Sequence, residues 1–290
     1  MYEYLCNTEL SKLNMIALGG QADIYELEND KIIRVLRSKS DEDYLKSEMR
    51  IMNALYEKGK SVPRIYEYLR IEDRPSLIME RIMGTTMLDA IRKNPLHMLK
   101  MAEQLAKLHL EATQSAESLD LTSIHDRASH LIPTTDMLTT DDKDFILGLL
   151  ESLPKENDIC HGDFHPGNIM ISNGKYYIID WFGATSGSKL CDIAHTYLLL
   201  RNTPKLPGIS KLLYQLMKMS SRIMSNKYLS TCYKGYPFDY SELSRWLVIR
   251  AAERVVYGMP MEKEAHVNFI RKCKRAKESG IQADGWWKFI

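Results

Sequence analysis

The spacing of apolar residues changes near Gly84, and this change limits the folds that the chain can adopt. Before Gly84, short β-rich runs are separated by turn-forming residues, which predicts strands and tight turns. After it, apolar residues recur at helical spacing. Strands are expected at residues 15–18, 24–27, 31–36, 64–70 and 76–82. The first part therefore predicts a five-stranded antiparallel sheet, with a single helix between its third and fourth strands.

That helix is expected to begin with a capping box formed by Ser40 and Asp43, and to end at Gly59. The second part predicts mainly helices, at 87–93, from Asn94 as N-cap to about 113, at 141–152, at 190–201, at 209–228, and from 240 through the C-terminal region. The expected fold class is α+β, with an N-terminal lobe at residues 1–83 and a helical C-terminal lobe at residues 84–290.

Composition indicates a folded globular protein, since 44% of the 290 residues are hydrophobic and 27% are charged. No targeting signal is visible at the start, and the apolar runs are too short to span a bilayer. Five widely spaced cysteines match neither a zinc site nor a disulfide framework. We therefore expect a cytoplasmic protein that does not bind a membrane. Cys160 is expected to be a buried structural residue rather than a nucleophile.

Residues 161–168 read HGDFHPGN, and the apolar run YYIID ends at Asp180. Two short strands flank Asn173-Gly174, a dipeptide typical of a tight hairpin. The loop that enters this hairpin carries Asp163 and Asn168, and the loop that leaves it carries Asp180.

This pattern suits phosphoryl transfer, which needs a carboxylate near the attacking hydroxyl and oxygen ligands for a metal ion on the nucleotide. Asp163 is expected to act as the base, while Asn168 and Asp180 are expected to bind Mg²⁺. His165 and Trp181 are expected to make local contacts and to pack, respectively, without catalytic roles. Between the first two strands, Gly19, Gly20 and Gln21 form either a phosphate-binding turn or a simple hairpin turn.

As a set, these motifs resemble the aminoglycoside phosphotransferase family, the small-molecule branch of the protein-kinase-like fold. The likeness runs from about Met15 to His195 and includes the segment Asp192-Ile193-Ala194. It implies the same roles for Asp163, Asn168 and Asp180, and it implies that His161 and Asp192 brace the catalytic loop.

The resemblance also assigns the nucleotide side of the site. Glu48 matches the acidic residue that anchors a basic side chain of the third strand, and Arg34 stands where the family usually carries Lys. Arginine keeps a permanent charge and can pair with Glu48 through two nitrogens. The segment from Met79 to Ile82 matches the linker that binds adenine through the carbonyl of Glu80 and the amide of Ile82.

The predicted function is an ATP- and Mg²⁺-dependent kinase that phosphorylates a hydroxyl group of a small molecule. A protein serine/threonine kinase is one alternative, although only eleven residues separate Asp180 from Asp192. A non-catalytic nucleotide-binding regulatory module is the other, because Arg34 departs from the family pattern. No nucleic-acid partner is expected, and the sequence indicates no oligomeric state.

The charge distribution bears on the acceptor. Residues 201–290 contain 17 Lys and Arg against 7 Asp and Glu, while residues 1–200 contain 22 against 31. A basic C-terminal region would repel a polycationic aminoglycoside and favour a neutral or anionic acceptor. The alternative is that these charges face solvent and leave an acidic pocket around Asp163, Asp192 and Glu253.

Overall fold

The computed structural model describes residues 2, 4–5, 8–28, 30–113, 115–117, 119–203 and 208–290. The chain forms two compact units. The first combines residues 1–92 with 166–184, and the second combines residues 93–165 with 185–290. The predicted lobe boundary between residues 83 and 84 stays a prediction. The first unit includes, beyond that boundary, a hairpin that comes much later in the chain.

The first unit contains the predicted five-stranded antiparallel sheet. Its strands are β1 Met15–Leu18, β2 Ala22–Leu27, β3 Lys31–Leu36, β4 Ile65–Ile71 and β5 Arg74–Glu80. They lie in the order β1-β2-β3-β5-β4. The turn between β4 and β5 places Glu72 and Asp73 at φ 48° and 62°, a left-handed pair that reverses the chain in two residues. The predicted fold class is confirmed.

Alternation along β3 separates an apolar face from a charged side chain. Ile33 and Val35 are fully buried and belong to a hydrophobic cluster with Leu69, Ile71 and Ile78. Because successive side chains of a strand point to opposite faces, Arg34 lies on the other face.

Helix α1 spans Glu42–Glu57 and packs on β4 and β5. The predicted capping box of Ser40 and Asp43 is wrong. A short 3₁₀ turn at Lys39–Asp41 precedes the helix, and the hydroxyl of Ser38 accepts from the amide of Ser40. Ser38 thus caps an earlier turn in place of Ser40, so the helix begins later.

The first unit is completed by β6 Thr85–Thr86, α2 Met87–Lys93, β8 Ile169–Ser172 and β9 Lys175–Ile178. Strands β8 and β9 form the predicted hairpin, and β6 pairs with β8. Asn173 and Gly174 have φ angles of 48° and 77°, as a two-residue turn of this type requires. The hairpin prediction is confirmed.

The second unit is mainly helical. Its helices are α3 Met98–Ala112, α4 Ile124–Leu131, α5 Thr140–Glu151, α6 Lys189–Arg201, α7 Lys211–Gly235, α8 Tyr240–Tyr257 and α9 Pro260–Glu278. The short strands β7 Asp158–Cys160 and β10 Thr185–Gly187 pair with each other. Helix α8 packs against α4, α5, α6 and α9.

Several details of this unit differ from expectation. Asn94 makes no capping bond through its side chain, and a 3₁₀ turn at Pro95–His97 precedes α3. Helix α4 was not predicted, and the C-terminal region forms two helices because Gly258 and Pro260 interrupt it. Among the described residues, none of the helices is both long and apolar enough to cross a membrane.

The described cysteines are free and buried, while Cys6 lies outside the described residues. Cys160 ends β7, and burial raises the pKa of its thiol well above the ordinary value. A thiol held in this protonated state is a poor nucleophile, as expected for a structural residue.

Candidate active site

Within the first unit, Arg34 joins the predicted nucleotide side to the predicted metal side. Its Nη1 is bonded to Oε2 of Glu48, and its Nη2 donates to Oδ1 of Asp180 at 2.9 Å. Arg34 and Glu48 are both buried, at 9% and 1% exposure. The predicted contact between Arg34 and Glu48 is confirmed, but the guanidinium spans two carboxylates rather than gripping Glu48 with both nitrogens.

The charge of Arg34 is secured by this arrangement. Burial by itself lowers the pKa of Arg34, but the carboxylates of Glu48 and Asp180 outweigh burial and raise it. The guanidinium also lies 5.7 Å from the ring centre of Phe182, a residue that sequence reasoning did not single out. A permanent cation therefore stands beside Asp180.

The hairpin brings the two predicted metal ligands to neighbouring backbone positions. The amide of Ile179 donates to the carbonyl of Asn168 at 3.0 Å. Asp180 is the next residue after Ile179, so its backbone lies close to that of Asn168. Asp180 has a φ of 65°, which turns the chain sharply at the end of the hairpin. Trp181 is 1% exposed and packs, as predicted.

The turn between β1 and β2 holds the three residues predicted to approach phosphates. The amide of Gly19 donates to the carbonyl of Ala22 at 2.9 Å, and a Cβ at Gly19 would lie 2.8 Å from that oxygen. Gly19 is thus required by the turn itself. A Cβ at Gly20 would meet nothing within 4 Å. Hairpin geometry therefore does not explain the glycine at 20, which leaves space beside the backbone before Gln21.

The predicted adenine linker lies at the end of β5. Met79 is buried within the strand and Glu80 is its last residue. The amide of Glu80 donates to the carbonyl of Arg64 at 2.8 Å, and Ile82 follows in the segment that joins β5 to β6. These positions are compatible with the predicted contacts through the carbonyl of Glu80 and the amide of Ile82.

Within the second unit, the loop that carries Asp163 is held by Asp192 of α6. The carboxylate of Asp192 accepts from the amide of His161 at 2.6 Å and from the amide of Gly162 at 3.0 Å. Gly162 has a φ of 80°, a conformation that favours glycine. Asp192 is 1% exposed and also lies 2.9 Å from Nε2 of His109.

His109 is a residue that sequence reasoning missed. It lies on the buried face of α3 between Asp192 and the hydroxyl of Tyr228, which is 2.6 Å from its Nδ1. Burial alone raises the pKa of Asp192, but the hydrogen bond from His109 and nearby positive charges lower it below the ordinary value. The signal was available, because a histidine on an apolar helix face needs a polar partner.

Asp163 itself is partly exposed, with 44% of its side chain accessible. Burial raises the pKa of Asp163, but the hydrogen bond from His165 and the charges of His165, His161 and Arg254 outweigh burial and lower it. Oδ2 of Asp163 lies 3.4 Å from Nε2 of His165. Asp163 is therefore a carboxylate at neutral pH, as a base must be. The predicted local role of His165 includes this contact.

Comparison with known proteins agrees with the arrangement of the site residues. The model of the phosphotransferase enzyme family matches residues 15–208, which is more than half of the chain. The chain belongs to the phosphotransferase enzyme family. This membership confirms the resemblance inferred from the motifs, and it confirms that the protein is a kinase-type phosphotransferase. No curated protein sequence matches the chain.

Solved structures of related fold support the architecture. The amicoumacin kinase hAmiN, in complex with AMP-PNP, Ca²⁺ and Ami, is 15% identical, with a TM-score of 0.59, over 95% of this chain and 90% of that one. The aminoglycoside phosphotransferase APH(4)-Ia, in a ternary complex with AMP-PNP and hygromycin B, is 14% identical, with a TM-score of 0.57, over 96% and 93%. At these identities the likeness shows the fold alone.

Proposed function

We propose that this phosphotransferase moves the γ-phosphoryl group of ATP, with Mg²⁺, to a hydroxyl group of a small molecule. Asp163 serves as the base that receives the hydroxyl proton. Gly19, Gly20 and Gln21 approach the phosphates, and the linker from Met79 to Ile82 holds the adenine. The related kinase structures with bound AMP-PNP support a nucleotide donor.

The observation that carries this proposal is the position of Arg34 between Glu48 and Asp180. Glu48 holds the guanidinium in place, and Asp180 is the residue proposed to bind the metal. A fixed cation next to a metal ligand complements the negative charge of nucleotide phosphates without reorganisation. A surface arginine that merely faced solvent would not be 9% exposed and bonded to two carboxylates.

The donor set fits Mg²⁺. Asn168 and Asp180 supply an amide and a carboxylate oxygen, which are hard ligands. Within the described ranges, no group of three or more His, Cys, Asp or Glu side chains is placed to hold a metal ion. Mg²⁺ takes few protein ligands and completes its coordination with phosphates and water. When bound, Mg²⁺ would neutralise charge on the transferred phosphoryl group.

The chain's own residues perform the remaining steps. Asp163 accepts a proton at its carboxylate and, being ionised at neutral pH, needs no prior activation. Asp192 fixes the loop through the amides of His161 and Gly162. The backbone that carries Asp163 is therefore held in one position. Arg34 orients the nucleotide phosphates while it keeps Asp180 in position.

The test is a coupled assay of ADP release by the intact protein, with ATP and Mg²⁺, against sugars, nucleosides, amino alcohols, hydroxy acids and antibiotics. We expect acceptor-dependent turnover that Asp163→Asn abolishes while nucleotide binding persists. Phosphorylation of a peptide or protein in preference to every small molecule would favour the protein-kinase alternative. Tight Mg²⁺-independent ATP binding without any turnover would favour the regulatory module.

A further inference from the structure

Besides Asp163, three carboxylates that contact the catalytic loop or the arginines of α8 would be the natural ligands of a cationic acceptor, and all three are buried. They are Asp192, Glu253 and Glu262, at 1%, 0% and 5% exposure. The carboxylate of Asp192 accepts from the amides of His161 and Gly162 and contacts His109. A compound with several ammonium groups needs accessible carboxylates, because desolvated charge must be paired.

Glu253 of α8 is saturated by arginines. Its Oε2 accepts from Nη1 of Arg250 at 2.6 Å, and its Oε1 accepts from Nε of Arg127 at 3.0 Å. Nη2 of Arg250 lies 3.4 Å from the carbonyl of Gly162, next to Asp163. The alternative of an acidic pocket that includes Glu253 is therefore not supported, because the charge of Glu253 is paired inside the protein.

Glu262 of α9 is similarly occupied. It is bonded to the guanidinium of Arg254, and it accepts from the amide of Met259 at 2.9 Å and from Nδ2 of Asn202 at 2.7 Å. Nε of Arg254 is buried and has no hydrogen-bond partner within the described part of the chain. Among the described residues, one N–H group of Arg254 is therefore left without an acceptor.

Arg250, Arg254 and Tyr257 follow one face of α8, leading outward from the catalytic loop. Exposure rises along this face, from 1% and 11% for the two arginine side chains to 43% for Tyr257. One helical turn of roughly 6 Å separates Arg254 from Arg250, which contacts the loop. The arginine next to the surface is therefore only one turn from the residue that contacts Gly162.

Tyr257 brings two guanidinium groups together. The guanidinium carbons of Arg127 and Arg254 lie 5.6 Å and 5.7 Å from the centre of its ring. Nη2 of Arg127 also lies 3.4 Å from its hydroxyl. Two guanidinium groups beside one half-exposed ring bring together several N–H donors of the kind that bind phosphate or carboxylate.

We propose that the acceptor carries an anionic group, a phosphate or carboxylate, which Arg254 and Arg127 bind beside Tyr257 while its hydroxyl faces Asp163. This inference rests on the proposed function and specifies its substrate class. The positive charge near Asp163 agrees with this proposal, because the charge of Arg254 is one of the causes that lower the pKa of Asp163.

The experiment compares acceptors that differ in an anionic group: ribose with ribose 5-phosphate, glycerol with glycerol 3-phosphate, and kanamycin as a polycation. We expect the intact protein to prefer the phosphate-bearing member of a pair by roughly 10- to 100-fold in kcat/KM, as charge-assisted hydrogen bonds of 1.5–3 kcal/mol would give. Higher ionic strength should reduce this preference.

Variants separate the anion site from general damage. Arg254→Gln should raise KM for the phosphate-bearing acceptor by roughly tenfold or more. It should leave the nucleotide KM nearly unchanged, and Arg254→Lys should recover part of the loss. Urea denaturation of both variants measures how far removal of the buried pair with Glu262 lowers stability. Arg271→Gln is the matched control, because Arg271 is an ion-paired arginine of the same unit that bonds Asp142 instead.

Binding is also measured without turnover, by calorimetric titration of glycerol 3-phosphate and ribose 5-phosphate into the protein with AMP-PNP. Salt-sensitive binding that Arg254→Gln weakens supports the proposal. Failure of both phosphate probes and of simple hydroxy acids to bind overturns it, as does Asp163-dependent turnover that prefers neutral or polycationic acceptors. Turnover that is insensitive to Asp163→Asn would instead refute the proposed function.

Discussion

The guanidinium of Arg34 donates to Oδ1 of Asp180 across 2.9 Å, although the two residues are 146 positions apart in the chain. Arg34 comes from β3 of the sheet, and Asp180 comes from the end of the later hairpin. The contact ties the predicted phosphate-binding cation to the predicted metal ligand within one compact unit. Substitutions at Arg34 and at Asp180 therefore test the two sides of the proposed site separately.

Arg34→Ala should destabilise the protein strongly, because it leaves the buried carboxylate of Glu48 without its partner. We expect a loss of about 3–5 kcal/mol in the free energy of unfolding, measured by urea denaturation. Arg34→Lys should retain the fold and weaken the nucleotide KM less than Ala does. Arg37→Ala is the control, since its ion pair with Asp23 leaves Arg37 45% exposed, and it should cost about 1 kcal/mol or less. Equal losses for the two Ala variants would argue against a buried structural pair.

Asp180→Asn should remove the dependence of ATP binding on Mg²⁺, because the variant keeps the side-chain shape but loses the charged oxygen. Calorimetric titrations of ATP with and without Mg²⁺ measure this dependence. Asp73→Asn is the matched control, as Asp73 has a φ of 62°, close to the 65° of Asp180, and lies in the turn between β4 and β5. Persistence of the full Mg²⁺ effect in Asp180→Asn would remove Asp180 from the metal site.

Asp163→Asn should lower kcat by about 10²- to 10⁴-fold while the dissociation constant for ATP stays nearly constant. The pKa of Asp163 lies below its ordinary value, so its titration should place an acid limb in kcat/KM below about pH 4. Initial rates across a pH series and nucleotide binding by the same variant check both points. A near wild-type kcat would show that another group receives the proton.

Asp192→Asn should destabilise the protein and change its response to acid. The pKa of Asp192 is lowered in the folded state, so its ionised form stabilises the protein above its unfolded pKa of about 3.9. That stabilisation is lost as the pH falls below this value. Urea denaturation at pH 7, 4 and 3 should therefore show a smaller difference between wild type and variant at pH 3. A difference that does not change with pH would indicate that the charge of Asp192 contributes nothing.

Local sequence patterns determined the parts of this protein that depend on neighbouring residues. Alternation along Ile33, Arg34 and Val35 predicted a strand with one apolar face, and Asn173-Gly174 predicted the hairpin turn. These predictions succeeded because backbone preference and burial act over a few residues. The capping box at Ser40 failed for the same kind of reason, since the adjacent hydroxyl of Ser38 offered a competing turn.

Only the tertiary structure decided which charged groups meet. Asp180 with Arg34, His109 with Asp192, and Glu253 with Arg127 are all distant pairs in which spacing along the chain carries little information. Arg250, in contrast, lies one turn before Glu253 on the same helix. The sequence shows an excess of basic residues after residue 200, but it does not show which of the basic residues pairs with Glu253. A buried carboxylate must be paired, and packing of α4 against α8 adds Arg127 to the partner that α8 itself supplies.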